Sequence, residues 1–126
     1  MRKAVNAIII RSKALLLFRN NETWILPGGK PEEGENNLEC LVREFEEEAS
    51  GAEIRISKYY GRFIGTTPHR GDELTAHVYF ADIFGEKNVR PSAEIEEAKY
   101  VRNFGNYNIS DITLKVIERL QEEGYL

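Results

Sequence analysis

Cysteine is nearly absent from this chain. The single thiol, Cys40, excludes an intrachain disulfide and any zinc site built from several cysteines. Proline is scarce, and two of the 4 prolines, Pro27 and Pro31, bracket the pair Gly28-Gly29. No apolar run approaches the roughly 20 residues that a membrane-spanning helix needs. The opening Met1-Arg2-Lys3-Ala4-Val5-Asn6 lacks a long apolar stretch ending in a small-residue cleavage site, so a cytoplasmic protein with no membrane partner is expected. A basic excess is also missing. Lys+Arg 17 against Asp+Glu 21 gives a net charge of -4, which argues against a stable nucleic-acid partner. Repeats, low-complexity tracts and linkers are not found.

What is present fits one domain spanning residues 1–126, with 41% hydrophobic and 30% charged residues. Residues 4–10 and 14–18 read as apolar strands joined by Arg11-Ser12-Lys13, and Asn20-Asn21 marks a turn before Trp24-Ile25-Leu26. Pro27-Gly28-Gly29-Lys30-Pro31 is expected to be irregular. Leu38, Leu41, Val42, Phe45 and Ala49 fall at helical spacing, with Asn36 or Asn37 as N-cap and Gly51 as the stop. Strands are expected over 53–56, 59–64, 74–84 and 99–101. The third of these is apolar on both faces and therefore central. Ser110 can cap a last helix that turns Ile112, Val116, Ile117 and Leu120 inward, giving a mixed sheet between two helices.

The negative charge is concentrated between Glu32 and Glu53. Glu44, Glu47 and Glu48 stand at i, i+3 and i+4, so on a helix their carboxylates share one patch of surface and repel one another. A hard divalent cation with several oxygen ligands resolves that conflict. The plainer alternative is a solvated helix on which Arg43 pairs with Glu39, Glu46 or Glu47. Gly28 and Gly29 weigh against it, because they let backbone approach a ligand just before the helix begins.

Gly29, Glu35 and the run Arg43-Glu44-Phe45-Glu46-Glu47-Glu48 resemble the signature of the Nudix hydrolases, G-x5-E-x7-R-E-U-x-E-E-x-G-U, where U is a bulky apolar residue. The spacing agrees through Glu48; Ser50 and Gly51 then replace the final glycine and apolar residue, consistent with a helix running to Gly51. Trp24 to Gly29 looks like the family's lead-in, and Glu94 to Val101 is similar to its late acidic segment. The resemblance implies an α/β/α sandwich with the box at residues 29–51. It also implies water attack on phosphorus in a diphosphate-linked nucleoside, with Mg²⁺ or Mn²⁺. By the same resemblance Glu44, Glu47, Glu48, Glu94 and the Gly28 carbonyl are metal ligands. Arg43 orients a glutamate and Glu35 supports the site. Glu47, then Glu44, then Glu94, is the order of candidates for the base.

Other residues have two readings. Trp24 could stack on a base or fill core. His69 and Arg70, in the polar stretch 66–72, could touch the substrate or belong to an ordinary hairpin loop. His77 is expected in the core and Cys40 half-buried on the helix. Within the resemblance, Pro-Gly-Gly at 27–29 and a short N-terminus tilt the expected substrate towards mononucleotides, nucleoside triphosphates first. Pro68 keeps ADP-ribose open, with sugar nucleotides and dinucleoside polyphosphates as further alternatives. An isomerase of this fold would need a cysteine placed elsewhere than Cys40, and a binding domain without catalysis would not need the glutamates at 44, 47 and 48. A homodimer through an edge strand or the Trp24 region is a further expectation.

Overall fold

The computed structural model describes residues 2–68 and 70–126. In chain order the strands are β1 (Arg2–Ile8), β2 (Ile10–Arg11), β3 (Ala14–Asn20), β4 (Thr23–Ile25) and β5 (Gly28–Gly29), followed by helix α1 (Asn37–Glu48). Then come β6 (Ala49–Thr66), β7 (Glu73–Pro91), β8 (Glu97–Val101), a short 3₁₀ turn at Phe104–Asn106 and helix α2 (Asp111–Glu122). Among the described residues one sheet runs β5-β1-β7-β6, with β1 and β7 parallel and the other pairs antiparallel. In the second, β3 lies between β8 and the β2 and β4 segments, all antiparallel to it. The architecture is the expected α/β sandwich with a mixed sheet.

Strand periodicity divides the core in two. On β1, Val5 and Ala7, followed by Ile9 just past its end, face the α1 side with Cys40, Leu41 and Phe45, whereas Ile8 faces Val116, Ile117 and Leu120 of α2. Strand β3 splits in the same way, Leu16 and Phe18 towards α1 and Leu15 and Leu17 towards α2. Central β7 sends Ala76 and Val78 one way and Ala81 and Ile83 the other, as its two apolar faces imply.

Several expectations are corrected. Gly28-Gly29 is not irregular, because the pair bridges antiparallel to Asn6 and Val5 while the two prolines stay outside the bridge. The first strand breaks after Ile8 and resumes at Ile10. The segments 53–56 and 59–64 are one long strand, β6, which absorbs register shifts at three places instead of ending. Helix α1 stops at Glu48 rather than Gly51. Ala49 already starts β6, and Ser92 supplies the missing cap by donating its N–H to the Glu48 carbonyl at 2.9 Å and its hydroxyl to the Glu47 carbonyl. At the other end Asn36 and Glu39 form a reciprocal capping box.

The buried stripe of α1 is Cys40, Leu41, Phe45 and Ala49. Leu38 and Val42 are 48% and 37% exposed, because the helix lies rotated towards Cys40, which is wholly buried. His77 is half-exposed rather than core, its Nδ1 lying 3.0 Å from the Tyr59 hydroxyl. Phe45→Ala should therefore cost about 3–5 kcal/mol of stability and Val42→Ala under about 0.5, measured by urea denaturation. Equal losses would mean that the outer face of α1 is packed.

Candidate active site

The capping box fixes where α1 begins, and burial of Leu41 and Phe45 fixes its rotation. Together they turn Glu44, Glu47 and Glu48 towards the glycine bridge. A cavity of 420 Å³ is lined there by Gly28, Gly29, Lys30, Glu44, Glu47, Glu48 and Glu94, with Asn20 and Ile25 at its edge. Glu94 arrives on the turn that Ser92 ties to the end of α1, and its Oε2 accepts from Asn20 Nδ2 at 3.4 Å.

Arg43 is the hub. Its guanidinium meets Glu35 at 2.7 Å, Glu44 at 3.0 Å, Glu47 at 3.2 Å and Glu32 at 3.4 Å, and donates to the Lys30 carbonyl at 3.1 Å. The hydrogen bonds from Arg43 hold the Glu35 carboxyl down at about 2. Burial pushes the Glu44 carboxyl up against the pull of Arg43. Burial, reinforced by Glu44, Glu47 and Glu94, pushes Glu48 up to about 8, although its Oε1 accepts the Gly28 N–H at 3.0 Å.

The glycines are required by this packing. A Cβ on Gly29 would stand 2.3 Å from the Glu44 carboxyl carbon. Gly28 has φ 138, and its Cβ would meet the Val5 carbonyl at 2.1 Å. Among the described residues no three acidic, imidazole or thiol groups converge on one point, since Glu44 and Glu47 lean on Arg43 and Glu48 on the Gly28 amide. The donor set nevertheless fits a divalent cation. One guanidinium faces four carboxylates, and Glu48 and Glu94 bring two further carboxyl groups to the same cavity, the first of which a cation would strip of its proton.

A second cavity of 210 Å³ adjoins the first through Asn20, Ile25, Gly28 and Gly29, and is otherwise mostly apolar, with Leu26, Leu74 and Ile112 in its wall. Thr66 and Pro68 border it at the start of the 66–72 loop. Arg70 is exposed on that loop, and His69 lies outside the described residues. Trp24 is buried at 7% exposure and packs edge-on against Tyr107 in the α2-side core, so the structure does not bring it to the glutamates. Asn6 and Asn20, which sequence reasoning passed over, both border this cavity. Their signal was a polar residue inside, or at the end of, an otherwise apolar strand.

Glu48 makes stability depend on pH. Its folded value is raised, so between the ordinary 4.5 and about 8 the folded chain holds a proton that the unfolded chain releases. In the presence of chelator, stability should be greatest below that window and fall by roughly 3–5 kcal/mol at most as pH rises through it. Glu48→Gln, which can still accept the Gly28 N–H, should flatten the decline in denaturation midpoints. A wild-type curve that is level across the window would contradict this placement of Glu48.

Comparison with known proteins bears on the family and the fold. The NUDIX domain model matches residues 1–103. The MutT protein from Methanosarcina mazei Go1 is 25% identical, with 97% of this chain and 94% of that chain covered at a TM-score of 0.79. The MutT NUDIX hydrolase from Burkholderia pseudomallei is also 25% identical, covering 94% of this chain and 97% of its own at 0.77. For the E. coli ORF135 protein the values are 23% identity, 98% and 93% coverage, and a TM-score of 0.75, which speaks for the fold. Most of the chain thus lies under the family's model, and the protein belongs to the Nudix hydrolases: it is a MutT-like pyrophosphohydrolase, of a family that generally uses divalent metal ions.

Proposed function

We propose that residues 1–126 act as one domain that hydrolyses nucleoside triphosphates with Mg²⁺ or Mn²⁺, cutting within the phosphate chain. The observation that carries this reading is the junction of the two cavities at Gly28 and Gly29, one acidic and one apolar. A nucleotide has the same two parts. Its phosphates need cations, and its base needs a dry, flat slot. At 210 Å³ the apolar cavity has room for one base, which favours mononucleotides over larger conjugates.

Glu44, Glu47, Glu48, Glu94 and the Gly28 carbonyl would hold the cation. When bound, it neutralises phosphoryl oxygens and acidifies water. Arg43 keeps Glu44 and Glu47 aimed while its own charge offsets part of theirs. Glu47, the more exposed of the two and held by Arg43 at the longer distance of 3.2 Å, is the carboxylate assigned to accept the proton of the attacking water. Glu35, pinned by two hydrogen bonds from the Arg43 guanidinium at 2.7 and 2.9 Å, fixes that arginine in turn.

Glu47→Gln should lower kcat by about 10² or more without unfolding the chain. Glu46→Gln should stay within about twofold, since Glu46 is exposed and outside the cavity lining. Phosphate release from nucleoside triphosphates, coupled to pyrophosphatase, gives the readout. Turnover of ADP-ribose with none of the triphosphates would replace the proposed substrate class, and full activity of Glu47→Gln would overturn the assignment of the base.

A further inference from the structure

Asn6 stands on the α2-side face of β1 between Ala4 and Ile8, a polar side chain bordering an otherwise largely apolar cavity. Its Nδ2 donates to the Leu26 and Pro27 carbonyls, each at 3.3 Å. Carbonyl oxygens cannot donate, so turning the amide over would break both bonds and set oxygen against oxygen. Both amide hydrogens are therefore spent, and Oδ1 is left as the group with free capacity. Gly28 closes the clamp: a Cβ there would stand 2.9 Å from Asn6 Nδ2 and 2.8 Å from its Cα.

The neighbouring polar groups are not clamped by two backbone carbonyls in this way. Asn20 commits one of its two Nδ2 hydrogens to Glu94 at 3.4 Å, on the side of the carboxylate cavity. The Ser110 and Thr113 hydroxyls bond each other at 2.8 Å, and Thr113 also takes the Leu26 N–H at 3.3 Å. At Asn6 the cavity thus presents an acceptor that cannot turn, and a ligand edge that carries N–H suits that position best.

We propose that Asn6 determines base specificity by accepting a hydrogen bond from an exocyclic amino group, so that amino-bearing bases are favoured over their oxo counterparts. This rests on the reading that the apolar cavity takes the base of a nucleotide. In the same pose an oxo base would place a carbonyl oxygen against Oδ1, and the amide cannot turn to answer it; the ring N–H of such a base could reach Oδ1 only by a shift along the cavity. Asn6 does not line the carboxylate cavity, so its effect falls on the choice of base and not on bond cleavage.

The test compares two pairs that differ at the amino or oxo position, ATP with ITP and CTP with UTP. Binding is measured by calorimetry with Ca²⁺, and kcat/KM with Mg²⁺. Wild-type protein should favour the amino partner on the order of tenfold, the worth of one neutral hydrogen bond, and Asn6→Ala should bring the ratio near one. The wild-type ratios need no variant and so do not depend on how Asn6→Ala folds. Turnover with no amino preference overturns this inference while the hydrolase reading stands. An amino preference in binding without turnover supports Asn6 and overturns the proposal that nucleoside triphosphates are the substrates. A uniform fall across all four nucleotides in Asn6→Ala, with the ratio kept, marks a residue that only braces the loop and overturns the inference. If none of the four binds, both readings fall.

Discussion

One guanidinium organises the acidic end of this molecule. Arg43 lies within 3.4 Å of Glu32, Glu35, Glu44 and Glu47, and a single positive charge cannot balance four negative ones. Removing Arg43 would set those carboxylates against each other, two of them on a helix whose buried face dictates where they point. The contact with Glu35 is the firmest of the set, which is why a residue eight positions away in sequence belongs to the same site. The remaining imbalance is what suits the site to a divalent ion and a polyanionic substrate.

The fold delivers that site through backbone economy at Gly28 and Gly29. The two residues bridge to β1, donate an amide to Glu48 and leave space for Glu44, all of which a side chain would obstruct. They also form the shared wall between the acidic and apolar cavities. Alternation along β1 then assigns duties by parity. Val5 and Ala7 seat α1, while Asn6 and Ile8 look towards α2.

Much of this was legible in the sequence. The glutamate spacing, the asparagine cap and the doubly apolar central strand each follow from local periodicity, and Glu94 follows from the resemblance to a known family. Tertiary partners decided what was not legible. The end of α1 depends on Ser92, a residue more than forty positions later, so Gly51 was a misleading stop. The exposure of Val42 depends on how far the helix rotates to bury Cys40, and the periodic stripe does not encode that angle. Trp24 had two readings because aromatic residues serve both purposes, and its buried place beside Tyr107, set by the return of the chain after β8, decides for core. Asn6 was hidden because a polar residue in a strand acquires meaning only when the carbonyls opposite it are known.

The central claim is that the carboxylates of α1 and the Gly28 backbone form a cation site. Anomalous scattering from crystals soaked in Mn²⁺ measures this directly. The account predicts a peak within about 2.3 Å of oxygens from Glu48, Glu44 or Glu47, and the Gly28 carbonyl, with Arg43 still on Glu35. A peak elsewhere, or none at this cavity at saturating Mn²⁺, would contradict it.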